Sequence, residues 1–141
     1  MKNYVFFPEP NAKAITGGER FYIEVISHLQ QSGNQVNCIS LEEAPHIFKN
    51  KLLYNLWLVW KMSNYHHSTF ILEFYYHPWC FFSVWVIRYF FKCKIVISAR
   101  GIYYIDKGFL VYWLSWILAF VLMKTADLLI VNSEWTKKEL V

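Results

Sequence analysis

Five short apolar runs alternate with segments of helical periodicity, and this alternation constrains the fold more than any other feature of the sequence. The runs occupy residues 4–8, 35–40, 69–75, 94–98 and 128–132. A strand, a helix and a second strand within about forty residues form a right-handed crossover unit, which joins parallel strands. The sequence therefore predicts an α/β fold with a doubly wound parallel sheet.

The segments between these runs predict helices. The first covers residues 18–32, where Tyr22, Val25, Ile26 and Leu29 share one face, and Gly33 supplies its left-handed cap. The second covers residues 47–62 and groups five apolar side chains on one side: Leu52, Leu53, Leu56, Val59 and Trp60. Further helices are predicted from His77–Pro78 through Phe90, over residues 107–124, and after an N-cap at Ser133.

Two adjacent glycines, Gly17 and Gly18, stand between the first run and the first helix. A helix start of this kind presents free backbone N–H groups and a partial positive charge, which suit a phosphate or a carboxylate. Thr16 and Glu19 have the spacing of a capping box. Two interpretations stay open from these residues alone: an anion or sugar site, and an ordinary helix start with a glycine-containing turn.

Composition narrows the class of protein. With 141 residues, one domain is expected, and a hydrophobic fraction of 56% excludes the disordered class. The net charge is +4, and several basic residues flank apolar blocks. That layout fits attraction to an anionic membrane surface. It fits equally well a chain in which charged residues simply separate the segments of the core.

Cysteine and histidine usage points away from disulfides and metal sites. Cys38, Cys80 and Cys93 are far apart and form no Cys-x-x-Cys pair, so a reducing cytosol is the natural environment. His66 and His67 are adjacent but have no third ligand nearby, so no metal is predicted. The N-terminus carries no secretory signal pattern.

Residues 108–123 carry no charge and are nearly all apolar. Their length falls short of the roughly twenty residues that a transmembrane helix needs. A buried or membrane-dipping helix is therefore predicted rather than a span. The expected location is the cytoplasm, with peripheral contact at the inner face of the plasma membrane.

Three stretches of the sequence carry a resemblance to a known family. The first is Gly17-Gly18-Glu19-Arg20-Phe21 with its helix, Gly33 and the following strand. The second is residues 96–101, and the third is residues 126–134 with Thr136 and Leu140. Together they resemble the N-terminal Rossmann-like domain of a family 4 glycosyltransferase with the GT-B architecture, and the third is similar to that family's Ala-Asp-x-(apolar)-Ser-Glu stretch. Asn34 replaces the family's usual His, and the loop lacks the spacer between Gly18 and Glu19.

The resemblance implies transfer of a sugar from a nucleotide-sugar donor to a glycan or lipid-linked acceptor, with no cofactor and no metal. In that family the acceptor sits mainly on this domain, and a second Rossmann domain holds the donor. Residues 1–141 correspond to the acceptor-side domain, and the sheet is expected to be incomplete at its C-terminus. The chain alone is expected to be inactive. It is expected to be a fragment, a split subunit that works with a separate donor-domain chain, or a degenerate remnant.

The resemblance also places candidate substrate-binding residues. Gly17 and Gly18 would let the loop approach donor phosphates or the acceptor, and Arg100 with Gly101 follows the fourth strand, where many relatives have a His. Arginine there can hold a phosphate through a bidentate fork but cannot act as a base. His77 follows the third strand, where a binding role and a solvent-exposed helix start are both open. Ser133 and Glu134 are interpreted as helix caps near the cleft, as are Thr16 and Glu19.

Two other classes of function compete with this reading. One is a non-catalytic, membrane-associated interaction domain that keeps the fold without the chemistry. The other, a dinucleotide-binding oxidoreductase, is disfavoured because Gly17-Gly18 does not form a Gly-x-Gly-x-x-Gly motif and the preceding loop is too long for that tight turn. No nucleic-acid partner is expected.

Overall fold

The structure is a computed structural model that describes residues 1–7, 9–10, 17–40, 42, 51–73, 81–99, 117 and 120–131. Its strands and helices follow one another in strict alternation up to the fourth strand, and residues 120–125 are helical before the fifth. The elements are β1 (Asn3–Phe7), α1 (Gly17–Gln31), β2 (Gln35–Cys38), α2 (Lys51–Ser63), β3 (Thr69–Glu73), α3 (Phe81–Phe90), β4 (Lys94–Ala99) and β5 (Leu128–Val131).

All five strands form one parallel sheet in the order β2-β1-β3-β4-β5. The prediction of an α/β fold with a parallel sheet flanked by helices is confirmed, and the architecture is compatible with a Rossmann-like fold. The strand bounds differ from the prediction by one or two residues: β2 ends at Cys38 rather than at residue 40, and β4 extends to Ala99. Residues 74, 75 and 132 lie outside the described part of the chain.

The turn between α1 and β2 explains why the helix ends where it does. Gly33 has φ +76, and the N–H groups of Gly33 and Asn34 bond back to the carbonyls of Gln30 and Leu29, at 3.0 and 3.1 Å. This is a Schellman ending, and it confirms the cap predicted at Gly33. Asn34 then fixes the turn to the sheet, because its side-chain oxygen accepts the N–H of Lys2 at 3.3 Å.

The helices cover both faces of the sheet. Side chains alternate between the two faces along each strand, so Val5 and Phe7 of β1 join one cluster while Phe6 joins another. The larger cluster packs beneath α2, α3 and residues 120–125 and includes Leu58, Phe70, Ile87, Ile95 and Leu122. The smaller cluster packs beneath α1 and contains Phe6, Tyr22 and Ile71.

The apolar side of α2 that the sequence singles out is not the side that packs on the sheet. Four of its members, Leu52, Leu53, Leu56 and Trp60, are exposed, and Val59 is half-buried. The sheet side consists instead of Tyr54, Leu58 and Met62, together with the buried amide of Asn55. Because α2 carries apolar residues on both sides, its periodicity predicts a helix but does not orient it.

Asn55 joins α2 to α3 inside the protein. The Ser83 hydroxyl donates to the Asn55 side-chain oxygen at 2.7 Å, and the Ser83 backbone N–H approaches the same oxygen at 3.3 Å. Ser83 is the third residue of α3, where a backbone N–H has no partner within its own helix. Asn55 therefore caps α3 from a neighbouring helix.

Replacing Asn55 by alanine should destabilise the protein by about 2 kcal/mol, because it removes the side-chain acceptor of the buried Ser83 N–H. The Ser83 hydroxyl still has the backbone carbonyl of residue 55 as an acceptor, at 3.0 Å. Chemical unfolding of Asn55→Ala, Ser83→Ala and the double variant measures the effect. The double variant should lose clearly less stability than the two single losses added together. Strict additivity would show that the two side chains do not act as a unit.

Candidate ligand-binding edge of the sheet

The carboxyl ends of β1 and β3 meet where the direction of the chain across the sheet reverses. From β1 the chain moves outward to β2 and then returns past β1 to β3. Phe7, the last residue of β1, is paired with Leu72 of β3, so the two strands end side by side. In open α/β sheets, ligands bind in the crevice outside the strand ends at such a switch point. This edge of the sheet is therefore the candidate ligand-binding site.

The glycine pair lies at this edge. Gly17 and Gly18 are the first two residues of α1, which follows β1 and so begins at the carboxyl ends of the strands. The predicted helix start is confirmed, one residue earlier than expected. The first N–H groups of a helix have no intrahelical partner and carry partial positive charge, which suits an anionic ligand group. Thr16 and the side chain of Glu19 lie outside the described part, so the capping box stays a prediction.

The remaining predicted residues, His77, Arg100, Gly101, Ser133 and Glu134, lie outside the residues that the structure describes. The strands that precede them are described. β3 ends at Glu73, and β4 ends at Ala99, the residue immediately before Arg100. Glu73 is paired with Ser98, so these two strands end together beside β1. The segments that carry the glycine pair, His77 and Arg100 thus connect to three neighbouring strand ends.

Cys38, the last residue of β2, stands near the same edge, and sequence reasoning gave it no role there. Burial, and to a lesser extent the nearby carboxylate of Glu9, together raise the pKa of this thiol to about 11. The backbone N–H of Glu9 also donates to the carbonyl of Ile39 at 3.0 Å, which holds the two chain segments together. A thiol with so high a pKa stays protonated at neutral pH and is a poor nucleophile. Cys38 therefore serves the packing of β2 rather than chemistry.

Alkylation should reveal this protection of Cys38. In a Cys80→Ser variant at neutral pH, iodoacetamide should modify Cys38 about a hundredfold more slowly in the native chain than in denaturant, because only the thiolate reacts. The rate should keep rising as the pH approaches about 11. Peptide mass spectrometry follows Cys38 and the buried Cys93 separately. If the alkylation rate of the native chain stopped rising with pH near the ordinary pKa of a thiol, the raised pKa of Cys38 would be wrong.

Asp127, in the stretch that most specifically resembles the glycosyltransferase family, has a structural role at the opposite edge. Its carboxylate accepts the N–H of Ile95 at 2.8 Å and a hydrogen bond from the Arg88 guanidinium, and its own N–H donates to the carbonyl of Ile95 at 2.8 Å. It thereby fixes the start of β5 to β4 and to the end of α3. The sequence showed the motif but not this role, because the partners lie more than thirty residues away.

Asp127 should make stability depend on pH. Partial burial disfavours its charge, but the Ile95 N–H and the charges of Arg88 and Lys94 outweigh this and lower its pKa below 3.8. A lowered pKa gives stability that is complete above 3.8 and is lost as the pH falls through the lowered value. At neutral pH, Asp127→Ala should cost about 1–2 kcal/mol, a modest figure because the pair is partly exposed.

Urea unfolding at neutral pH and in the acid range measures this contribution. The difference between wild type and Asp127→Ala should shrink as the pH falls. A Glu24→Ala variant is the control, because the ion pair that Glu24 forms with Arg20 is exposed to solvent. A difference that stays constant into strong acid would show that the Asp127 charge contributes nothing.

Within the described ranges, no group of three His, Cys, Asp or Glu side chains is arranged to hold a metal ion. Among the same residues, no helix combines the length and the apolar character needed to cross a bilayer.

Comparison of the sequence with protein-family models and with curated proteins finds no match. The resemblance to family 4 glycosyltransferases therefore depends on the three sequence stretches alone.

Proposed function

We propose that the chain is the acceptor-side, GT-B N-terminal domain of a glycosyltransferase that moves a sugar from a nucleotide-sugar donor to a glycan or lipid-linked acceptor. The observation that carries the proposal is the position of Gly17 and Gly18. They begin α1 at the carboxyl edge of the sheet, beside the β1/β3 switch point. The two other stretches of resemblance support it, since residues 96–99 end β4 and residues 128–131 form β5.

The proposed chemistry breaks the bond between the anomeric carbon of the sugar and the diphosphate of the donor. A bond from that carbon to the acceptor oxygen forms, and the hydroxyl proton passes to a base or to water. The nucleoside diphosphate leaves with the bonding electron pair and the negative charge. The N–H groups at the start of α1 and the guanidinium of Arg100 are suited to pair with that charge. His77 and Gly101 complete the substrate-binding set, and neither a cofactor nor a metal takes part.

A second Rossmann domain, on a continuing or a separate chain, holds the donor in this proposal. The isolated chain of residues 1–141 should therefore bind nucleotide sugars too weakly for calorimetry to detect, and it should transfer no sugar. Tight binding of a nucleotide sugar by this chain alone would show that the donor site has been assigned to the wrong domain.

Deletion of the gene, followed by mass spectrometry of cell-surface and lipid-linked glycans, tests the proposal in the cell. We expect one sugar to disappear from one class of glycan and the wild-type gene to restore it. The Arg100→Ala variant should not restore it, although it accumulates to the same level. Unchanged glycans after deletion, together with no consumption of any nucleotide sugar by cell membranes, would overturn the proposal.

The alternative function is a non-catalytic, membrane-associated interaction domain with the same fold. The observation that favours it is the row of exposed apolar side chains on α2, including Leu56 and Trp60. The complementation experiment separates the two functions. Under the alternative, Arg100→Ala restores any phenotype of the deletion as fully as the wild-type gene does.

A further inference from the structure

The outer side of α2 and α3 exposes large apolar side chains to solvent. On α3, Phe90 is 70% exposed and Tyr89 is 59% exposed; on α2, Trp60 is 62% exposed. Solvated faces of surface helices normally carry charged and polar residues. The six exposed side chains that define what is called here the α2–α3 surface are Leu56, Trp60, Phe82, Trp85, Tyr89 and Phe90.

Three of these side chains, Phe82, Trp85 and Phe90, line one open groove of about 370 Å³. The groove lies between the two helices, and the other side chains that line it are also apolar: Val59 of α2, Val86 of α3 and Phe91. The ring of Trp85 lies 5.6 Å from that of Tyr89 and 6.0 Å from that of Phe90, measured between centroids. Contiguous apolar area of this kind marks a surface for a partner or a membrane.

The charged residues in the sequences of α2 and α3 are all basic. They are Lys51 and Lys61 on α2 and Arg88 on α3, and Arg88 is paired with Asp127. The sequences of α2 and α3 contain no Asp or Glu. Lys61 places its ammonium 5.5 Å from the centre of the Trp60 ring, and the exposed Lys92 follows the last turn of α3. The opposite face of the sheet differs, because α1 there carries both Arg20 and Glu24.

We infer that the α2–α3 surface binds the surface of an anionic lipid bilayer. Trp and Tyr side chains are enriched at the level of the lipid head groups, because their rings are apolar and carry a polar tip. Lys61 and Lys92 add attraction to anionic lipid, at about 1 kcal/mol for each basic residue near the surface. The inference goes beyond the proposed function and does not depend on it.

Charge complementarity favours a bilayer over a second copy of this chain. A two-fold dimer brings the same surface patch of both copies together. Lys61 and Lys92 of each copy would then approach the same lysines of the other without a carboxylate on α2 or α3 to balance them. An anionic bilayer carries charge of the opposite sign to these lysines, so the same contact is attractive there.

The surface also has a suitable position relative to the candidate site. It extends from Phe82, in the first turn of α3 and hence towards the carboxyl edge of the sheet, to Phe90 at the other end of that helix. A chain lying with this surface on a bilayer would keep the β1/β3 switch point beside the membrane. A lipid-linked molecule could then reach that edge without leaving the bilayer.

Flotation of the full chain with lipid vesicles tests the inference. The chain is synthesised in a cell-free system in the presence of vesicles of phosphatidylcholine, with or without phosphatidylglycerol, and the vesicles are floated through a sucrose gradient. We expect the chain to float with the vesicles that contain phosphatidylglycerol and to float far less with the neutral ones. Added salt should weaken the association.

Matched variants assign the binding to the α2–α3 surface. The pair Trp60→Gln and Phe90→Gln should lower the partition onto anionic vesicles by about tenfold or more, since both lose apolar contact with the head-group region. Lys61→Gln and Lys92→Gln should each lower it by about fivefold, and only on anionic vesicles. Phe21→Gln is the control, because Phe21 is similarly exposed but lies on α1, on the opposite face of the sheet.

Three results would overturn the inference. One is equal flotation of the Trp60/Phe90 variant and the Phe21 variant. Another is wild-type flotation that does not depend on anionic lipid. The third is a stable dimer without vesicles that the Trp60 and Phe90 substitutions convert to a monomer, because it would identify the surface as a contact between two copies. Circular dichroism of the variants, with the wild-type spectrum as reference, shows that each has kept its fold.

Discussion

Phe70→Ala is expected to lower the free energy of unfolding by about 3–5 kcal/mol, the range for removing a fully buried aromatic side chain. Phe70 is completely buried in β3, the central strand of the sheet. Its ring packs in the larger core cluster and meets the edge of Tyr65, with centroids 6.5 Å apart. The neighbouring side chains come from strands and helices on every side, so the cavity left by alanine cannot close without moving the sheet.

A loss of this size is a large share of the total stability, which for a domain is about 5–15 kcal/mol. Guanidinium unfolding followed by far-ultraviolet circular dichroism measures it, as a lower midpoint. Phe21→Ala is the matched control, because Phe21 is 46% exposed on α1 and should cost less than about 1 kcal/mol. Equal losses for the two variants would show that Phe70 does not belong to the core.

Arg100→Ala is expected to reduce the rate of sugar transfer by about a hundredfold or more, the effect of removing one preorganised donor from a developing negative charge. The expectation follows from the proposed function, in which Arg100 pairs with the departing diphosphate at the end of β4. Arg100→Lys should recover only part of the rate, because lysine keeps the charge but not the bidentate fork.

The measurement is the initial rate of sugar incorporation from a labelled nucleotide sugar by membranes of complemented cells. Lys2→Ala is the control for loss of one positive charge, since Lys2 precedes β1 at the opposite edge of the sheet. A full rate with Arg100→Ala would exclude Arg100 from the site. A rate lost equally in Arg100→Ala and Lys2→Ala would point to a general effect of charge.

The sequence predicted those features of the fold that depend on local pattern. Apolar runs ended by polar or glycine-containing segments marked all five strands, and Gly33 marked the end of α1 because its positive φ is a local requirement. The sequence also predicted that α1 begins at the glycine pair, since the start of a helix has a local sequence signature. These features involve residues within one turn or one strand of each other.

Features that depend on distant contacts were missed. The side of α2 that meets the sheet could not be read from its sequence, because Leu56 and Leu58 are chemically alike and only the position of the sheet distinguishes them. The Asn55–Ser83 contact joins residues 28 positions apart, and Asp127 meets Arg88 across 39. No local pattern encodes such pairs. The roles of Arg100 and His77 at the candidate site remain predictions.

The position of β1 between β2 and β3 has a consequence for the order in which the chain folds during synthesis. Its partners on the two sides, β2 and β3, are both made after it. Once β2 has left the ribosome, α1 can already cover Phe6. The other face of β1, with Val5 and Phe7, stays uncovered until Leu58 and Phe70 have been synthesised. A nascent chain stalled between β2 and β3 should therefore expose this face to proteases and chaperones. Limited proteolysis of stalled ribosome complexes would detect the exposure as cleavage, and the cleavage should stop once α3 has emerged.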